Sequence, residues 1–188
     1  MHKSFAYKEK FAYLCSMKQI EALNEQIRSK AIEKGLCDKW KEDWESDWSL
    51  DKLVDKFYRG IDFFLDKRFV SNDYIKESFD KDWLRKNGIL VDDEYSLLNP
   101  DSAIFLGNSQ STIRFNGYNA ATIYVTDESN VKVIAKNKSF VLVHVLGNAQ
   151  VEAKTYDSAN ITVLIHSKES IVIADNGIKV KEELDYLK

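Results

Sequence analysis

Two interleaved ladders of short apolar strands run through the C-terminal half of the chain, and they restrict its fold more than any other feature. In the first ladder Val131, Val151 and Ile171 follow one another at steps of 20 residues, and Val133, Ala153 and Ile173 keep the same step. Ile113 and Phe115 precede Val131 and Val133 by 18. In the second ladder Ile123/Val125, Val141/Val143 and Ile161/Val163 are spaced by 18 and 20, and Ile104/Leu106 come 19 before the first of these. Ile178/Val180 continue it with a shortened last step. Apolar and polar residues alternate within each segment, the period of a strand with one buried face. Two ladders sharing one step predict a β-solenoid, a parallel β-helix-like coil that returns the chain to the same place one layer up. About four coils fit. Turn-forming residues fall between the strands, among them Gly117, Gly147, Asn148, Asp157, Ser158 and Gly177. An antiparallel sandwich or meander also shows short alternating strands, but it has no reason to hold one register in two ladders at once.

The N-terminal half follows a different rule. Residues 1–98 carry most of the charged residues and all four tryptophans, and the only proline, Pro100, stands just beyond them. The fold class expected is therefore α+β, with a helical domain of about four helices over 1–98 and the solenoid over 99–188. The first helix covers about residues 5–35, with Gly35 as its stop. A second carries Trp40, Trp44 and Trp48, four residues apart and so on one drifting side of a helix. That side is either core or a partly exposed aromatic stripe of the kind that anchors interfaces, and Trp48 is placed to pack across the joint with the next helix. Ser49 caps a third helix, whose apolar positions Leu50, Leu53, Val54, Phe57, Ile61, Phe64 and Leu65 keep helical spacing. Asn72 or Asp73 starts a fourth, which runs through Phe79 and Trp83 to Gly88. "GILVDDE" then reads as a short strand and a turn.

Composition removes several classes of function. Hydrophobic residues make up 44% of the 188, enough for a core, and the net charge of -3 is of mixed sign. There is no basic field to attract nucleic acid. No apolar run reaches the length of a membrane span, and the N-terminus lacks the continuous apolar stretch of a signal peptide. Cys15 and Cys37 read as reduced thiols of a cytoplasmic protein. Phosphate-binding glycine loops and the nucleophile elbow are all missing. The repeats are not the six-residue kind of solenoid acyltransferases, and four coils with one outward arginine do not build a sugar groove. No catalytic residue, metal or cofactor is expected.

The register also sorts the outward residues. Arg114, Lys132, Glu152 and Val172 lie between inward positions of the first ladder and form a charged, solvated face. Tyr124, Leu142, Thr162, Thr126, His144 and Leu164 lie between those of the second, with Leu146 and His166 one step on. This face is apolar or neutral, so either the helices or a partner cover it. His144 and His166 are 22 apart and fall out of stack in a 20-residue coil, and they lack further ligands at zinc spacing. "VDDE", Val91 to Glu94, is expected to be a solvated turn, without the alternation that calcium loops need.

The stretches "FYRGIDFFLDKRFVSNDYIKESF", "NGILVDDE", "NPDSAIFLGNS" and "GYNAATIYV" resemble uncharacterised small proteins of Bacteroidetes and of their phages and mobile elements, which also join a helical region to a repetitive β tail. The resemblance spans roughly residues 55–166 and brings no functional residues with it. Its one implication is by analogy: small phage proteins without enzymatic activity often inhibit a host defence protein. The expectation is a non-enzymatic protein-interaction module, and the analogy makes it an inhibitor of a bacterial defence effector. Trp40, Trp44, Tyr124, Leu142, His144 and Leu164 are its partner-binding candidates. The alternative is an assembly component that oligomerises through the solenoid, and a small enzyme or ligand binder ranks behind both.

Overall fold

A computed structural model describes the backbone of residues 2–45, 47 and 49–187, and side chains within those ranges from residue 18 onward. The chain forms two compact units, one ending at Ser71 and one beginning at Asn72.

The first unit is helical. Helix α1, His2–Glu33, stops because Gly35 takes a positive φ of 91°. The Leu36 amide then turns back to the Ala31 carbonyl and the Gly35 amide to that of Ile32, which satisfies two end carbonyls. Helix α2 is only Asp38–Glu42, with Asp43 as its cap. Trp40 and Trp44 are therefore not on one continuous helix, as their spacing suggested. Trp48 lies outside the described residues, as does the side chain of Cys15, while Cys37 is exposed.

The third helix is also divided. Helix α3, Leu50–Arg59, is capped by the Ser49 hydroxyl as expected, and α4, Ile61–Lys67, follows a break at Gly60. The tip of the Trp40 ring lies where a Cβ of residue 60 would point, so glycine lets the tryptophan pack against backbone. Leu53, Ile61, Phe64 and Leu65 are buried, with Phe57 and Phe69 edge-on to Phe64.

The second unit begins with α5, Asn72–Ser78, and α6, Lys81–Lys86. One helix was expected here. The break falls at Phe79 and Asp80, and the Asp80 carboxylate starts α6 by accepting the Trp83 amide at 2.8 Å. Phe79 and Trp83 stack across the break.

The rest of this unit is the parallel β-solenoid, of about four turns. One sheet holds six strands in the order β1 (Ile89–Val91), β3 (Ser102–Leu106), β5 (Ala120–Val125), β7 (Phe140–Val145), β9 (Asn160–Ile165) and β11 (Lys179–Glu182). The other holds β2 (Leu97–Leu98), β4 (Gln110–Gly117), β6 (Asn130–Asn137), β8 (Gln150–Thr155) and β10 (Ile171–Ala174). The solenoid thus starts at Ile89, ahead of the 98/99 boundary drawn from composition, and α5 and α6 pack on its first strand.

The central step is a uniform 20 residues. Ile113, Val133 and Ala153 are in register, as are Ile123, Val143 and Val163. These residues and their neighbours, Phe105, Phe115, Val131 and Val151 among them, form one core between the sheets. A ladder of 20 pairs Ala103 with Ile123 and Phe105 with Val125, so Ile104 and Leu106 face away from the core, contrary to the 19-residue reading. They are nonetheless fully buried. In β10 it is Val172 and Ala174 that match Val151 and Ala153, leaving Ile171 and Ile173 outward and exposed. The connection through Ser167–Ser170 is one residue longer than its counterpart a coil below, and that shift reverses the faces.

Both corners of the coil turn on left-handed residues. Asp92, Gly107, Asp127 and Gly147 serve at one, and Asn99, Gly117, Asn137, Asp157 and Gly177 at the other, all with positive φ. Asn, Asp and Gly are the residues that tolerate this conformation. A Cβ at Gly107 would also overlap the Asp92 carboxylate.

Candidate interaction surface

The six residues singled out from the sequence separate into three environments. Trp40 and Trp44 are half-buried within the helical unit. The Trp44 indole N–H donates to Asn24 Oδ1 at 2.6 Å, Asn24 Nδ2 donates to the Glu45 carbonyl at 2.8 Å, and Lys56 Nζ lies 4.4 Å over the Trp40 ring. Tyr124 and His144 are buried on the outward face of the six-stranded sheet, while Leu142 and Leu164 are half-buried beside them.

The two histidines do meet. His144 is in register with Leu164, and His166, two residues further on, lies on the same face as its diagonal neighbour. His144 is 6% and His166 8% exposed. Their rings stack with centroids 5.1 Å apart, between Tyr124 at 4.7 Å from His144 and Tyr186 at 4.1 Å from His166. His166 Nδ1 is 2.8 Å from the Glu183 carbonyl, an acceptor only, so this nitrogen carries a hydrogen. In the neutral ring His166 Nε2 is then an acceptor, and His144 Nδ1, 2.9 Å away, is its donor. The C-terminal segment is strapped to the sheet through this pair. The separation of 22 residues was itself the signal: one coil plus two places on the same face.

The turn "VDDE" is likewise more than solvated. Asp92 and Glu94 are exposed, but Asp93 is 6% exposed and takes a bidentate grip from Arg85, Nε to Oδ2 at 2.8 Å and Nη2 to Oδ1 at 3.0 Å. Lys81 Nζ is 2.8 Å from the same carboxylate. The Arg85 hydrogen bonds hold the Asp93 carboxyl below its ordinary range, against burial and with help from Lys81. Asp92 is lowered chiefly by Lys76 and by the Asn108 amide.

Asp92, Gly107, Asn108, Asp127, Glu128, Gly147 and Asn148 line a shallow depression at this corner. Its two aspartates are engaged in turn structure: Asp127 Oδ2 accepts the Gly107 amide at 2.7 Å, and Asp92 Oδ1 the Asn108 amide at 2.9 Å. Among the described residues no three His, Cys, Asp or Glu side chains are grouped to hold a metal ion. No described helix is long and apolar enough to cross a membrane.

The opposite corner has a different character. Tyr118, Phe140 and Tyr156 occur there on successive coils, and Tyr118 is 82% and Phe140 59% exposed. Lys136 and Lys138 share the coil between the tyrosines. Lys138 Nζ reaches down to Tyr118, 4.9 Å from the ring and 2.7 Å from the hydroxyl, and Lys136 Nζ reaches up to within 5.1 Å of the Tyr156 ring. An asparagine ladder braces the turn, with Asn99 Oδ1 accepting from the Asn116 amide and Asn119 Nδ2, and Asn137 Nδ2 donating to Asn116 Oδ1. Phe140 begins β7 on the same outward face as Leu142, so the aromatic corner runs onto that sheet face. None of these three aromatics was singled out from the sequence, because turn and strand-end positions belong to neither apolar ladder.

The chain matches no family model, no curated protein and no solved structure in comparisons with known proteins.

Proposed function

We propose that this chain is a non-enzymatic protein-interaction module and that the aromatic corner of the solenoid is its contact surface. One observation carries the reading: Tyr118 and Phe140 stand largely exposed on successive coils. Large rings left in water cost free energy that burial against a partner recovers, and tyrosine is among the side chains favoured at energetic centres of interfaces. The short connections and the ladders of corner hydrogen bonds hold these rings on a rigid scaffold, so little ordering entropy opposes binding. Leu142 extends the surface. Tyr124 and His144 lie on the same sheet face but are buried, and are not first contacts.

The resemblance to proteins of phages and mobile elements makes a cytoplasmic host defence effector the partner class to try first. The test is affinity capture with the tagged chain from a native host lysate, followed by mass spectrometry, beside a Tyr118→Ala/Phe140→Ala variant. A partner retained by the wild type and lost by the variant supports the reading. Equal capture by both removes the corner from it.

A second reading is assembly through the end of the solenoid. Ile171, Ile173 and Val180 are exposed on β10 and β11, the last strands of the two sheets. Open strand edges with apolar side chains favour pairing between copies. Light scattering coupled to size exclusion separates the readings, since a strict monomer at high concentration leaves the assembly without support.

A further inference from the structure

Resting on the interaction reading above, we infer that the partner segment bound by the aromatic corner is an acidic stretch of protein, with carboxylates interspersed among apolar side chains. The argument begins with how the solenoid uses its other lysines. Lys132 and Lys154 both close on Glu152, at 2.9 and 2.8 Å. Lys136 and Lys138 pair with no carboxylate among the described residues, and their ammonium groups rest on the tyrosine rings instead. The corner has carboxylates of its own, Asp101, Asp157 and Asp175, but they stand on other coils, and the turn that leads into Phe140 carries Lys136 and Lys138 with no acid beside them.

An exposed cation over an aromatic ring is held by only about 0.5–1 kcal/mol. Lys136 can swing to an incoming carboxylate at small cost, and doing so uncovers the face of Tyr156, which creates one charge pair and one apolar contact. Lys138 can exchange its exposed hydrogen bond with the Tyr118 hydroxyl for a stronger, charge-assisted one to a carboxylate. Lys136 and Lys138 point in opposite directions along the stack, toward Tyr156 and Tyr118. A segment crossing the corner can accordingly place two carboxylates with an apolar side chain between them, against Phe140. Nucleic acid fits less well: it rewards a continuous basic field, and two lysines on one coil, with Asp101, Asp157 and Asp175 on others, do not make one.

The test uses the full chain and three labelled probes in fluorescence anisotropy. They are a twelve-residue peptide alternating Glu with Leu and Phe, the same peptide with Gln for Glu, and a twelve-nucleotide oligothymidylate. The Glu peptide is expected to bind about tenfold tighter than the Gln peptide at low salt, with the ratio shrinking as salt rises. In Lys136→Gln/Lys138→Gln the ratio should fall to within about twofold, while Phe140→Ala weakens both peptides about tenfold. All three substituted side chains are exposed, and circular dichroism checks that the variants fold. Equal binding of the two peptides, with both still sensitive to Phe140→Ala, overturns the acidic partner and leaves the contact surface standing. Tighter binding of the oligonucleotide also overturns it. Failure of both peptides to bind overturns the inference and the contact surface together.

Discussion

His144 Nδ1 lies 2.9 Å from His166 Nε2, and His166 Nδ1 lies 2.8 Å from the Glu183 carbonyl, so a single chain of hydrogen bonds runs from the sheet to the C-terminal segment. The carbonyl can only accept, so it fixes a hydrogen on His166 Nδ1, and with the ring neutral His144 Nδ1 is the donor to Nε2. Nitrogen-15 NMR at neutral pH is therefore expected to show His166 with its hydrogen on Nδ1. Substituting His144→Leu removes the donor to a buried ring nitrogen and should lower stability by about 1–3 kcal/mol in urea titration. An Nε2-protonated, Nδ1-bare His166 would contradict this arrangement.

Tyr186 closes the same strap by stacking on His166. Tyr186→Ala is expected to speed amide hydrogen exchange at residues 183–187 by about tenfold while leaving β5 and β7 protected. Unchanged exchange would mean that the segment is held by other contacts.

The Asp93 carboxylate joins α6 to the first turn of the solenoid through Arg85 and Lys81. Asp93→Asn keeps the shape and removes the charge, with an expected loss on the order of 1–3 kcal/mol. The pH dependence follows from the lowered pKa. A carboxyl whose folded pKa is depressed contributes stability that is present above its unfolded value near 3.9 and is lost as pH falls through the folded value. The urea midpoint of the wild type should thus fall more steeply below about pH 4 than that of Asp93→Asn. Parallel acid profiles would show that the pair contributes no linked stability.

Gly107 combines a positive φ of 66° with the nearby Asp92 carboxylate. Gly107→Ala should cost about 1–3 kcal/mol, from backbone strain and from displacement of Asp92 away from the Asn108 amide. Thermal melting checks it, and an unchanged Tm would mean that the corner relaxes freely.

Trp44→Phe removes the indole donor to the fully buried Asn24. The expected loss is about 1–2 kcal/mol, measured in urea, since the remaining ring still fills most of the space. A larger loss would indicate that packing outweighs the bond.

The solenoid was legible because inward positions such as Val131, Val133 and Val151 alternate with polar residues and repeat at one step. Legibility failed where alternation fails. Ile104 and Leu106 sit in a run buried on both faces, so a period of two cannot say which side of β3 looks inward. Ile171, Val172 and Ile173 are all apolar, and only the longer connection before them sets the faces. In the helical unit the apolar spacing continues across Gly60, and the packing of the Trp40 ring against that glycine joins residues distant in sequence. The tryptophan spacing of four suggested one helix, yet Trp44 is held off the helix by Asn24. The aromatic corner escaped for a simpler reason: exposure of a turn residue is set by the coils above and below it.

The uniform step also has a consequence for how such a chain can change in length. Each central coil bonds only to the coils beside it, and both corners of each coil turn on interchangeable Gly, Asn or Asp residues. Duplicating or deleting a block of twenty codons within these coils restores every ladder and every turn, and one codon more or fewer reverses inside and outside from that point on. Inheritance can thus lengthen this protein by whole coils at its centre, while the odd steps fall at the ends, as at β10.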